Sequence, residues 1–125
     1  MSAAGNPAGW FEIPVHEMAR AKVFYQQLLG VQLEEHQMGS SRMAWFPMKQ
    51  GAAGAAGSLV QGEGYEPSDR GVLIYFTAPD LDAALTRARE GGGEVIVGRT
   101  DIGEFGFFGL ILDTEGNRVG LHSRE

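Results

Sequence analysis

The chain predicts an α+β fold, two βαβββ modules forming a curved mixed sheet, and three observations carry that expectation. The first is a change of period within residues 10–30, WFEIPVHEMARAKVFYQQLLG. Phe11, Ile13 and Val15 alternate with Trp10, Glu12 and Pro14, as a half-packed strand requires, and then Met18, Ala21, Tyr25 and Leu28 recur every three to four residues, as an amphipathic helix requires. The second is that the plan returns 63 residues later, with Glu17, Met18, Ala21 and Gly30 falling on Asp80, Leu81, Ala84 and Gly93, and Phe11, Ile13 and Val15 falling on Ile74, Phe76 and Ala78. The third is that each helical stretch is followed by short strand-like runs separated by turn residues.

In chain order, residues 1–8 read as a loose tail, 9–61 as the first module, 62–70 as a linker and 71–123 as the second module, all within one structural domain. The first helix ends at Gly30, which tolerates positive φ. Residues 31–36 and 42–46 read as paired strands about the turn MGSS, with Met43 and Trp45 on one face and Arg42, Ala44 and Phe46 on the other. GAAGAAG, residues 51–57, is a connection with little to pack, or a flap over a pocket, and leads into a strand at 58–61. The linker GEGYEPSDR hands over to a strand at 72–77, a helix at about 80–89 and a stop at the three glycines 91–93. Strands follow at 94–97, 107–112 and 118–123, with IGEFGFFG entering the second of them and DTEGN, residues 113–117, making a tight turn before the third. DTEGN lacks the ligand spacing of a calcium-binding loop.

Composition narrows the partners. The 125 residues include no cysteine, so thiolate chemistry and cysteine metal sites are excluded. The formal net charge is −6 with scattered Lys and Arg, which disfavours nucleic acid and favours neutral or cationic small molecules. Apolar runs are too short to span a bilayer and the first residues lack a signal-like start, so a cytoplasmic protein is expected.

The order FEIPV, ARAKVFYQQLLG, APDLDAAL, GGGEVIV and DTEGNRVGLHS resembles the vicinal oxygen chelate superfamily, the glyoxalase, bleomycin-resistance and extradiol dioxygenase group, over nearly all of residues 10–123. The resemblance implies a homodimer with cavities formed between modules. It also implies, in the metal-dependent members, a divalent ion held by His, Gln or Glu from cavity-facing strand positions. Those positions fall here on Trp10, Leu73, Gly120 and a residue near Ser58. Indole, isobutyl and hydrogen donate nothing to a metal, so no metal is predicted at the usual place and metal-dependent glyoxalase or dioxygenase chemistry loses its simplest mechanism.

Parity from those positions puts Glu12 and His122 toward the cavity, with Tyr75 and Thr77 following Leu73 in the same way. Glu12 reads either as a general base tuned by burial or as a carboxylate satisfied by a neighbouring Arg or amide. His122 reads as its acid–base partner, as a ligand of a relocated metal, or as a solvent-facing residue. His16 is expected at the surface before the first helix and His36 on a solvated strand edge. Trp10, Trp45 and Tyr75, with Phe105, would make the cavity aromatic, either as core or as a stacking surface for a flat ligand. Two functions follow. One is a small-molecule-binding protein that sequesters a small or cationic compound, with Trp10, Trp45, Tyr75 and Thr77 as ligand contacts. The other is a lyase or isomerase using Glu12 and His122, with or without a relocated divalent metal, in which replacing Glu12 by Gln would abolish turnover.

Overall fold

The computed structural model describes residues 5–125, so the first four residues of the expected tail lie outside the described part. The chain runs β1 (Trp10–Pro14), α1 (Met18–Leu29), β2 (Glu34–Met38), β3 (Ser41–Trp45), β4 (Ala56–Gln61), β5 (Tyr75–Thr77), α2 (Leu81–Glu90), β6 (Glu94–Asp101), β7 (Phe107–Leu112) and β8 (Arg118–Ser123), with a 3-10 turn at Gly103–Phe105. The βαβββ order is therefore present twice. Its strands form two four-stranded sheets, β1-β4-β3-β2 and β5-β8-β7-β6. In each sheet the first strand pairs in parallel with the last of its own module, β1 with β4 and β5 with β8, while the other pairs are antiparallel.

One face of each sheet carries a helix. Ile13, Val15, Ala44 and Leu59 meet Met18, Ala21, Phe24, Tyr25 and Leu28, and Ile111, Val119 and Leu121 meet Leu81, Ala84, Leu85 and Ala88, so both helical stripes are spent on one continuous core. Phe76 joins the modules, with its ring 5.6 Å from Phe11, 5.6 Å from Phe46 and 5.7 Å from Tyr25. Gly30 adopts φ 66° and closes α1.

The two helices begin differently. Asp80 accepts a bond from the Ala83 amide at 3.0 Å and so caps α2 from within. Glu17 gives α1 no such bond, and the start of α1 is capped both by Gln61 of its own module, whose Oε1 accepts from the Met18 amide at 2.8 Å, and by Glu115 of the other module. The Glu115 carboxylate, with no exposed side-chain surface, accepts from the amides of His16 and Glu17 at 2.9 Å each. It accepts also from Arg20 Nε at 2.7 Å and Nη2 at 2.9 Å, and from the Thr114 hydroxyl at 2.9 Å. Burial alone would push this carboxyl upward; the Arg20 guanidinium, the Glu17 amide, Thr114 and the His16 amide reverse that and hold it at about 2.

The DTEGN turn thus does more than reverse the chain. Asp113 accepts from the buried Tyr25 hydroxyl at 2.6 Å, and Asn117 Nδ2 donates to the Pro14 carbonyl at 2.8 Å. Burial first, and then the neighbouring Asp113, raise the Tyr25 phenol well above its ordinary range.

Three boundaries differ from expectation by three residues or more. β5 begins at Tyr75 rather than 72, because Val72 is 92% exposed and only one further bond, Gly120 N–H to the Ile74 carbonyl at 2.8 Å, extends the ladder. β6 runs on to Asp101 past Gly98, with register shifts between Val95 and Val97 and between Val97 and Thr100 absorbing the irregularity. β2 starts at Glu34, three residues later than the predicted strand, since Leu33 turns into the core.

Candidate functional site

The helix-free face of each sheet is where the cavity-facing residues stand, and cross-strand register assembles them in rows. On the first sheet Glu12 aligns with Ser58, Ser58 with Trp45 and Trp45 with Glu34. Trp10 meets the Trp45 ring edge-on at 5.5 Å, and His36 lies against its other side at 4.1 Å. His36 thus stands on the edge strand β2, as its polar neighbours predict, but its ring is partly buried against the indole, with Nε2 3.0 Å from a Glu34 carboxylate oxygen. His16 is exposed, as expected. Ser58 is fully buried, and neither its hydroxyl nor Trp45 Nε1 has a hydrogen-bond partner.

Glu12 is exposed, so the burial that would tune it as a base is absent. It accepts a bond from the Tyr65 hydroxyl at 3.3 Å, and its charge raises the Tyr65 phenol. With Trp10 it lines a cleft of about 390 Å³ shared with Arg70, Val72, Ile74 and Arg118.

The second sheet repeats the arrangement with different side chains. Tyr75 aligns with Gly120, and Thr77 with His122, which in turn opposes Phe108. Tyr75, Thr77, Ile102, Phe108 and His122 surround a cavity of about 430 Å³. Tyr75 and Phe108 face one another at 6.3 Å and 67°, while His122 Nε2 lies 2.7 Å from the Phe105 carbonyl. Phe105 stands on the rim with 62% of its surface exposed and contributes that carbonyl.

The structure therefore divides the predicted site residues between two faces. Trp10, Glu12 and Trp45 belong to the first module; Tyr75, Thr77 and His122 belong to the second. Glu12 and His122 line different cavities and make no hydrogen bond to each other, because each module closes its own sheet. Phe108 and Ile102 complete the second cavity without having been singled out in the sequence. Phe108 was accessible to counting: a five-residue turn at 113–117 sets Leu112 against Arg118 and hence Phe108 against His122.

The positions that would hold a divalent ion do not fit one. Ser58 and Gly120 occupy equivalent places, each paired with the second residue of the repeat's facing row, Glu12 or Tyr75. A Cβ at residue 120 would run into the Tyr75 ring, so that ring fills the place where a ligating side chain would rise. Trp10 spends its indole on Trp45, and Leu73 has no donor. Among the described residues no group of three His, Cys, Asp or Glu side chains is placed to hold a metal ion.

A family model described as Glyoxalase/Bleomycin resistance protein/Dioxygenase superfamily matches residues 8–121. Among curated proteins, "Putative glyoxylase CFP32" of Mycobacterium bovis is 28% identical over 121 residues, which are 94% of this chain and 45% of that protein. The Mycobacterium tuberculosis protein of the same name matches equally, so the chain spans about half the length of these relatives. Among solved structures, TnmS3, described as an antibiotic binding protein from Streptomyces sp. CB03234, is 26% identical with a TM-score of 0.71, covering 99% of this chain and 100% of that one. A glyoxalase/bleomycin resistance protein from the same Streptomyces is 25% identical with a TM-score of 0.70 over 92% of this chain and 98% of that one. A glyoxalase/bleomycin resistance protein from Albidiferax ferrireducens T118, at 14% identity, has a TM-score of 0.73 over 96% of this chain and 100% of that one, a likeness of fold.

Proposed function

The chain belongs to the Glyoxalase/Bleomycin resistance protein/Dioxygenase superfamily, and on that premise we propose that it binds and sequesters a flat small organic molecule without a metal at the superfamily's usual position. The observation that carries this reading is the 430 Å³ cavity walled by Tyr75, Phe108 and Ile102, with Thr77, His122 and the Tyr75 hydroxyl as its polar groups. A few polar groups in an otherwise apolar wall orient a ligand, and each aromatic contact adds about 0.5–1.5 kcal/mol beyond the area buried. No carboxylate lines this cavity, so ring stacking rather than charge selects the ligand, and the net charge of −6 acts on a cationic compound only by steering its approach. The description of TnmS3 as an antibiotic binding protein supports the same assignment.

In a single chain the two helix-free faces stay open. A homodimer that lays the first face of one copy against the second face of the other would enclose the ligand between Trp10 and Trp45 on one side and Tyr75 and His122 on the other.

Trp10 and Trp45 are the only tryptophans, so intrinsic fluorescence reports on the first face. Calorimetric titration with a panel of planar aromatic antibiotics should give saturable binding at one ligand per cavity, accompanied by tryptophan quenching where a dimer brings the first face onto the ligand. A ligand at about a hundred times its dissociation constant should stabilise the fold by roughly 2.7 kcal/mol in thermal melts. No saturable binding across the panel would sink the reading. Stoichiometric divalent metal in protein purified without chelator, with a melting shift of that size, would overturn its metal-free part.

A further inference from the structure

Resting on the cavity reading above, we propose that His122 makes the second-module cavity selective for aromatic ligands that carry a hydrogen-bond donor, a phenolic O–H or an N–H, over otherwise matched ligands without one. The Phe105 carbonyl sets the sense of the ring. A carbonyl oxygen only accepts, so the 2.7 Å contact requires a proton on His122 Nε2. In the neutral ring Nδ1 is then a bare acceptor, and among the described residues it has no partner.

The carbonyl that fixes this tautomer is itself held. Ile102 N–H donates to the Gly106 carbonyl at 2.9 Å, Gly106 N–H to the Gly103 carbonyl at 3.1 Å, and Gly103 N–H to Asp101 Oδ1 at 2.7 Å. The 101–106 turn is thus tied to itself at three points and to β8 through His122. The other polar groups at the cavity, the Tyr75 and Thr77 hydroxyls, both donate and accept, and neither has a partner among the described residues. His122 is the one lining group with a fixed sense, so it decides which ligands fit. An ether or a carbonyl opposite Nδ1 would set two acceptors against each other.

The test pairs 1-naphthol with 1-methoxynaphthalene, which share a ring system and differ by the donor. In the wild-type protein 1-naphthol should bind roughly three- to tenfold more tightly, the weight of one net hydrogen bond. His122→Phe keeps a flat ring at the cavity wall and carries no acceptor, so the ratio should fall to about one through weakened 1-naphthol binding alone. Long-range 1H–15N correlation of the wild-type protein should show the Nε2–H tautomer at His122 before any ligand is added. An Nδ1–H tautomer overturns the inference whatever the variant does. Equal affinities for the two probes, or a ratio that survives His122→Phe, overturn it while leaving small-molecule binding intact. Absence of saturable binding by either probe removes both it and the cavity reading.

Discussion

Acidification tests the join between the modules. The Glu115 carboxyl drops from an ordinary 4.5 to about 2 on folding, and at roughly 1.4 kcal/mol per tenfold change in proton affinity this amounts to about 3 kcal/mol. A depressed folded value means that the folded state prefers the ionised form. The contribution is therefore complete above about pH 4.5, where the unfolded carboxyl is also ionised, and drains away as the pH falls toward 2. Glu115→Gln keeps the shape and an acceptor for the His16 and Glu17 amides but removes the charge facing Arg20. Urea unfolding of both proteins should show a gap of about 3 kcal/mol at neutral pH, near ten degrees in melting temperature, closing to about zero near pH 2. Curves that fall in parallel through this window would refute the assignment, since the acid sensitivity would then belong to other carboxylates.

Three further outcomes follow from buried contacts. Tyr25→Phe removes the 2.6 Å bond to Asp113, which keeps the Glu115 and Asn117 amides and the Asn117 side chain, so urea unfolding should register a loss of about 1–3 kcal/mol. Ser58→Ala removes a buried hydroxyl without a partner and should leave stability unchanged or raise it by up to about 1 kcal/mol; a clear loss would mean that the hydroxyl is engaged. Gly120→Ala drives a methyl group into the Tyr75 ring, so the protein should stay folded by circular dichroism while losing affinity for planar ligands; undiminished affinity would exclude Tyr75 as a wall of the site.

The repeat, the helices and the facing residues were legible because they depend on local period. Trp10, Glu12, Tyr75, Thr77 and His122 all lie on helix-free faces, as parity from the strands requires. What parity cannot tell is which faces share a cavity, since that depends on whether the two sheets join. Glu12 and His122 satisfied every local rule for a pair and still fall on separate sheets. Glu115 was opaque for the same reason. Inside DTEGN it reads as a turn residue, and nothing near it announces an arginine 95 positions upstream. Gly120 reads as a missing ligand until the Tyr75 ring is seen over it.

The two helix starts draw on different parts of the chain. α2 carries its own cap in Asp80, whereas α1 borrows Glu115 from the far hairpin, and the corresponding connection in the first module, GAAGAAG, has no carboxylate to lend in return. In the capping of helix starts, dependence between the halves therefore runs one way. Gln61 serves the Met18 amide from within the first half, while the His16 and Glu17 amides are left to residue 115. The repeat is thus symmetric in its order of elements and asymmetric in what completes each helix.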